Sequence, residues 1–248
     1  MMSMIAKKTS RKRKEVDVTH EFTEHIKKNF DCSNLRLKKM FPLTDNQQKF
    51  YYSSQNNKTN MIFLDGPAGS SKSYLAVYTA LELLKARHVD KIIYIRSVVE
   101  SSSRSIGYLK GDESEKFQPY IMPMMDKLNE ILDKSDIQLL LDQEYIKAIP
   151  VNFVRGLTFH RCAVISDEIQ NMTKGELTTI LTRFGRNSKF FMVGDSNQAD
   201  IKDSGFNQVY DAFNTEFSRK NDINCFKFET CDIVRSAILK HITQVLKV

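Results

Sequence analysis

The sequence predicts an α/β fold, a mostly parallel sheet covered by helices on both faces. Three observations carry this expectation. From residue 61 onward, short apolar stretches alternate with amphipathic ones, the pattern of strand–helix crossover units. A glycine-rich turn at residues 66–73 lies between the first strand and the first helix of that series, where parallel sheets gather phosphate ligands. The 248 residues are 41% hydrophobic and 27% charged, a globular mix long enough to bury a sizeable core.

The elements follow in order. Residues 61–65 form a short apolar strand. Residues 72–86 place Leu75, Ala76, Ala80, Leu83 and Leu84 at helical spacing. A second strand covers 91–96. Residues 114–132 read as a helix broken or kinked at Pro119 and Pro123, which lack backbone donors. Strands are expected at 145–149 and 162–166, a helix at 173–184, a strand at 189–194 and a helix at 205–214. A strand at 223–228 and an amphipathic helix at 233–248 close the chain. Upstream, Pro42, Thr44 and Asp45 signal a turn before a helix at 46–52, and 53–60 is a polar, Asn-rich loop.

Charge is unevenly distributed. Of the net +7, residues 1–14 carry +6 through Lys7, Lys8, Arg11, Lys12, Arg13 and Lys14. A solvated, disordered tail and an arm attracted to nucleic-acid phosphates both fit this segment. No apolar run approaches the roughly 18 residues of a membrane span. No secretory signal is visible, so a cytoplasmic protein without a membrane partner is expected. Cys32, Cys162, Cys225 and Cys231 form neither a Cys-x-x-Cys pair nor a zinc-finger spacing, and reduced thiols are expected.

The chemistry lies in four motifs. Gly66-Pro67-Ala68-Gly69-Ser70-Ser71-Lys72-Ser73, followed by Tyr74, matches the phosphate-loop pattern G-x-x-x-x-G-K-[ST], with Ser71 in place of the second glycine. Such a loop turns successive N–H groups toward phosphates at a helix N-terminus. Lys72 would bridge phosphate oxygens and the Ser73 hydroxyl would ligate Mg²⁺. If position 71 needs a positive φ, serine strains the loop by roughly 1 kcal/mol.

In the second motif, the strand at 162–166 runs into Asp167 and Glu168, 95 residues after Lys72. Asp167 is placed to hold Mg²⁺ and Glu168 to orient or deprotonate water. An extra strand between the loop and the acids, with Glu directly after Asp, distinguishes hydrolysing motors from small-molecule kinases and G proteins. The third motif, Gly194-Asp195-Ser196-Asn197-Gln198, ends a strand, and Gln198 could sense the γ-phosphate or the lytic water. An ordinary Gly-Asp turn is the alternative. In the fourth, Gln47 of Leu43-Thr44-Asp45-Asn46-Gln47 could read adenine, and helix capping by Thr44 or Asp45 accounts for the segment equally well.

Together these residues resemble the PhoH family, whose fold is RecA-like and akin to the first motor domain of superfamily-one helicases. The resemblance runs from about residue 43 to 247. It includes Arg96-Ser97-Val98-Val99-Glu100, Ile106 to Asp112, Glu115 to Tyr120, Phe153-Val154-Arg155-Gly156, Asp167 to Asn171, Leu181 to Phe184, Gly194 to Gln198 and Asp232-Ile233-Val234-Arg235. Departures are Ser71 for glycine, Ser97 for proline and Ile169 for alanine.

The resemblance implies a RecA-like P-loop NTPase using ATP and Mg²⁺, with hydrolysis linked to RNA or single-stranded DNA. It also implies a ring-shaped homo-oligomer, often described as hexameric. In such a ring Arg183, Arg186 or Arg235 could act on a neighbour's nucleotide, although each fits a surface salt bridge as well. Arg96, Ser97, Arg104 and Lys110 are candidate nucleic-acid contacts, with Tyr108 as a stacking platform. The chain then divides into a basic tail at 1–20, a segment at 21–60 carrying Gln47, and a PhoH-like core at 61–248. An ATP-binding assembly switch with little hydrolysis, or a small-molecule kinase, are the rival readings.

Overall fold

The computed structural model describes residues 30–97, 113–234 and 237–246. The basic tail, Arg104, Tyr108, Lys110 and Arg235 lie outside the described residues. Among the described residues six strands form one sheet: β1 (Met61–Asp65), β2 (Lys91–Arg96), β3 (Ile146–Pro150), β4 (Cys162–Asp167), β5 (Lys189–Gly194) and β6 (Ile223–Lys227). Their order is β3-β2-β4-β5-β1-β6, and every pairing is parallel. The strand that separates the loop strand β1 from the acid strand β4 is therefore β5, which follows the acids in the chain. Strands β2 and β3 lie beyond β4, on its far side.

Alternate residues of each strand feed opposite faces, as the period of two requires. Ile62 and Leu64 join one core with Ile92, Tyr94, Phe191 and Val193, whereas Met61 and Phe63 join the other with Ile93, Ile95, Phe190 and Met192. The first core is covered by α1 (Asp45–Gln55), α2 (Lys72–Lys85), α3 (Glu113–Ile131) and α4 (Lys134–Asp142). The second is covered by α5 (Lys174–Leu181) and α6 (Phe206–Phe213). A short α7 (Glu216–Lys220) precedes β6, and α8 (Ala237–Leu246) closes the described chain.

Several expectations need correction. Helix α3 runs unbroken through Pro119 and Pro123. The prolines are four residues apart, so the missing donors fall on one side of the helix. The buried side is anchored by Met124, Leu128 and Ile131, all fully buried. The polar loop is shorter than expected because α1 continues to Gln55. The closing helix starts at Ala237, since Thr230–Asp232 forms a 3-10 turn. Residues 30–60 join the first core: fully buried Phe50 packs against Phe191, Phe226 and Phe228 at ring separations of 6.4, 5.9 and 6.0 Å. Among the described residues no helix is long and apolar enough to cross a membrane.

Candidate functional site

An all-parallel sheet brings its strand ends to one edge. Register places Asp65 beside Gly194 and Arg96 beside Asp167, so the loop, the acids and the Gly-Asp turn converge there. Gly66 opens the phosphate loop against the end of β6, where a Cβ would lie 2.7 Å from the Phe228 Cβ. Further on, Gly69 has φ 80° and Ser71 φ 65°. The position where serine replaces glycine is thus left-handed.

Ser71 is also the N-cap of α2, and its side chain makes no capping hydrogen bond. Helices α1 and α5 both begin with complete capping boxes, at Thr44 and Thr173. With no side-chain cap at Ser71 and no acid in the first turn, the N-terminus of α2 is suited to an anion. Replacing Ser71 with Gly is expected to relieve the left-handed strain and stabilise the fold by up to about 1 kcal/mol. That gain corresponds to a rise of roughly 2–4 °C in melting temperature for a chain of this size. A fall in melting temperature would show that the strain is not there.

Lys72 folds its ammonium back over the loop. Its Nζ donates to the Gly66 carbonyl and, at 2.8 Å, to the Pro67 carbonyl. Burial draws the ammonium below its ordinary range, while the carboxylates of Asp195, Asp167, Glu168 and Asp65 push it back up. A bound phosphate would compete with these carbonyls for a cation that is already desolvated.

Asp167 has a partner for each oxygen. Oδ1 accepts from the Ser73 hydroxyl at 2.8 Å and from the Glu168 amide at 3.1 Å. Oδ2 accepts from the Tyr94 hydroxyl at 2.7 Å. Tyr94 is 1% exposed, and burial, reinforced by Asp167, lifts its phenol well above the usual range. It stays a protonated donor and fixes the carboxylate's orientation. Ser73 and Asp167 together supply the hard oxygen ligands that suit Mg²⁺. Tyr94→Phe is expected to lower stability by about 2 kcal/mol, as a charged acceptor loses its partner. Urea unfolding curves with an unchanged midpoint would contradict that role.

Glu168 sits at φ 56°, another left-handed residue at the point where catalytic chains often store strain. Its Oε2 accepts from Gln170 Nε2 at 2.6 Å, and Gln170 Oε1 accepts from the Asp195 amide at 3.0 Å. One buried amide thus ties the acid turn to the Gly-Asp turn. Gly194 makes this approach feasible, because a Cβ there would fall 2.9 Å from Ile169 Cγ1. Asp195 is 4% exposed, and its Oδ2 has no hydrogen-bond partner among the described residues. Burial pushes its carboxyl up, opposed by the Asn197 amide and Lys72. Behind this group, Asp65 accepts from the Ser196 amide and hydroxyl at 2.8 and 2.9 Å. Gln198 lines the same cleft.

The structure gathers most of the expected site residues. Ala68, Gly69, Ser71, Lys72, Ser73, Tyr74, Asp167, Glu168 and Gln198 line one cleft, and the Gly66 and Pro67 carbonyls accept from Lys72. Ser70 is fully buried and donates to the Pro67 carbonyl at 2.7 Å, bracing the loop from within.

Gln47 takes part in the helix cap, one of the two roles that the sequence left open. It is fully buried, and its amide donates to the carbonyls of Ser70 and Asp232 at 3.1 and 2.9 Å. Its oxygen accepts from the Thr44 amide at 3.0 Å. The capping box turns this side chain inward, where it clamps the phosphate loop to the 230–232 turn. Arg183 does not line the cleft; it donates to the Leu157 carbonyl and the Thr182 hydroxyl, both at 3.2 Å. Arg186 is exposed. Tyr94, Gln170, Lys127 and Glu130 belong to the site or its walls and were not foreseen.

Comparison with known proteins agrees with this geometry. The family described as PhoH-like protein matches residues 39–247. A PhoH-like protein of Bacillus subtilis is 36% identical over 180 residues, covering 73% of this chain and 54% of the relative. Protein PhoH of Escherichia coli is 33% identical over 198 residues, covering 79% and 55%. The chain thus spans little more than half the length of these curated relatives. Among solved structures, the large terminase of a thermophilic bacteriophage superposes with a TM-score of 0.53 at 12% identity, over 82% of this chain and 50% of that one. That likeness is one of fold, the parallel-sheet P-loop NTPase fold. By the family match and by these identities, the chain belongs to the PhoH family.

Proposed function

We propose that this chain binds ATP with Mg²⁺ and hydrolyses it, coupled to RNA or single-stranded DNA and carried out in a homo-oligomeric ring. The single observation that supports hydrolysis is the convergence, in one cleft, of Lys72, the Ser73–Asp167 pair and the braced Glu168. In this reading the loop amides and Lys72 hold the phosphate tail, and Ser73 and Asp167 hold the metal. Bound Mg²⁺ neutralises charge on the phosphate oxygens. Glu168 takes a proton from water and Gln170 keeps its carboxylate aimed while it does so. Gln198 lines the same cleft and in this reading senses the terminal phosphate.

A second reading has a specific observation in its favour. The left-handed Ser71 and the internal bonds of Lys72 suit a protein that holds ATP as an assembly switch and turns it over slowly. Calorimetry with a nonhydrolysable ATP analogue at millimolar Mg²⁺, followed by phosphate release with and without single-stranded RNA, tests both. Binding with RNA-stimulated release supports the ATPase. Binding with negligible release, together with a nucleotide-dependent change in native mass, supports the switch. Absence of binding removes both.

A further inference from the structure

The wall facing the phosphate loop is helical. Lys127 and Glu130 of α3 line the same cleft as Ser71, Ser73, Tyr74 and Asp167. Met124, Leu128 and Ile131 anchor the buried face of α3, so Lys127 lies at the border of that face and Glu130 one step further out. The side chain of Lys127 is 20% exposed and its ammonium stands 3.5 Å from Glu130. Most of its stem is therefore already ordered and desolvated before any ligand arrives.

Charge makes this position consequential. Among the described residues the cleft is lined by the carboxylates of Glu130, Asp167, Glu168 and Asp195, and by two ammonium groups, Lys72 and Lys127. A polyphosphate entering such a site needs compensating cations. Lys127 is one of the two side-chain cations that the described residues bring to this cleft. As a plain i,i+3 helix pair it would do little more than steady the helix.

We propose that Lys127 is a second phosphate-binding cation, and that Glu130 sets nucleotide affinity by competing with the polyphosphate for that ammonium. This rests on the nucleotide reading given above and adds a specificity-determining pair to it. The test is calorimetric binding of a Mg²⁺-bound nonhydrolysable ATP analogue, read for opposite signs. K127M is expected to weaken binding about tenfold, the loss of one charge-assisted contact. E130Q is expected to tighten binding about threefold, as the competing charge is removed, and to tighten it less in the K127M background. K127R should retain most of the affinity.

If the wild type binds and K127M binds within twofold of it, the assignment of Lys127 is overturned. If E130Q weakens binding, the competition is overturned. E130Q supplies its own sign, so the proposal stays testable even if K127M folds poorly. If the wild-type chain binds nothing, the nucleotide reading fails first and this pair falls with it.

Discussion

Glu168→Gln is expected to lower ATP hydrolysis by a factor of roughly 10²–10⁴, the usual worth of a positioned general base, with nucleotide binding retained. Glu168 turns into the cleft through a left-handed backbone and is held by Gln170 at 2.6 Å. The amide replacement keeps the side chain's length and shape but cannot take the proton. Lys72, Ser73 and Asp167, the groups that would hold phosphate and metal, are untouched. Single-turnover phosphate release alongside calorimetric binding separates the two effects. Equal release by variant and wild type would remove Glu168 from the chemistry and leave the assembly switch as the stronger reading.

Asp232→Ala is expected to destabilise the fold by about 3 kcal/mol, because several donors lose one buried charged acceptor. Asp232 is 1% exposed. Its Oδ1 accepts from the Thr44 hydroxyl, and its Oδ2 accepts from Asn46 Nδ2 at 3.0 Å and the Glu229 amide at 2.7 Å. The adjoining carbonyl accepts from Gln47, which also reaches the Ser70 carbonyl. Losing the carboxylate should therefore loosen the start of α1, the 230–232 turn and the underside of the phosphate loop together. Asp232→Asn keeps an acceptor for Thr44 and should lose about half as much. Chemical denaturation checks both, and a shift below about 0.5 kcal/mol, the range of an ordinary surface substitution, would mean that the network is not structural.

The sequence was most informative where burial is strictly periodic. All six strands lie within a residue or so of their expected positions, because each is an apolar run bounded by turn residues. The phosphate loop and the acid pair were legible for the same reason: each sits at the end of such a run. Helices α4 and α7 were missed because they are short and their buried positions are few, Ile137 and Leu140 in α4 and Ser218 in α7. Helix α3 is continuous through both prolines, with Met124, Leu128 and Ile131 anchoring its buried face.

Side chains whose role depends on register were not legible. Tyr94 looks like any strand aromatic until β2 is laid beside β4. Gln170 looks like a turn amide until β5 is set against β4. Gln47 left two roles open in the sequence, a base reader and part of a capped helix start, and the structure shows the capping box at Thr44. That box is visible as Thr44 followed three residues later by Gln47, and it was the better signal.

The Gln170 bridge has a mechanical consequence. A single rigid amide joins Glu168 on one turn to the Asp195 peptide on the next, so neither turn can be displaced alone without breaking a bond to the other. The amide acts as a tie-rod across the gap between neighbouring strands. A movement of the 194–198 turn would be converted directly into a change of aim at the Glu168 carboxylate.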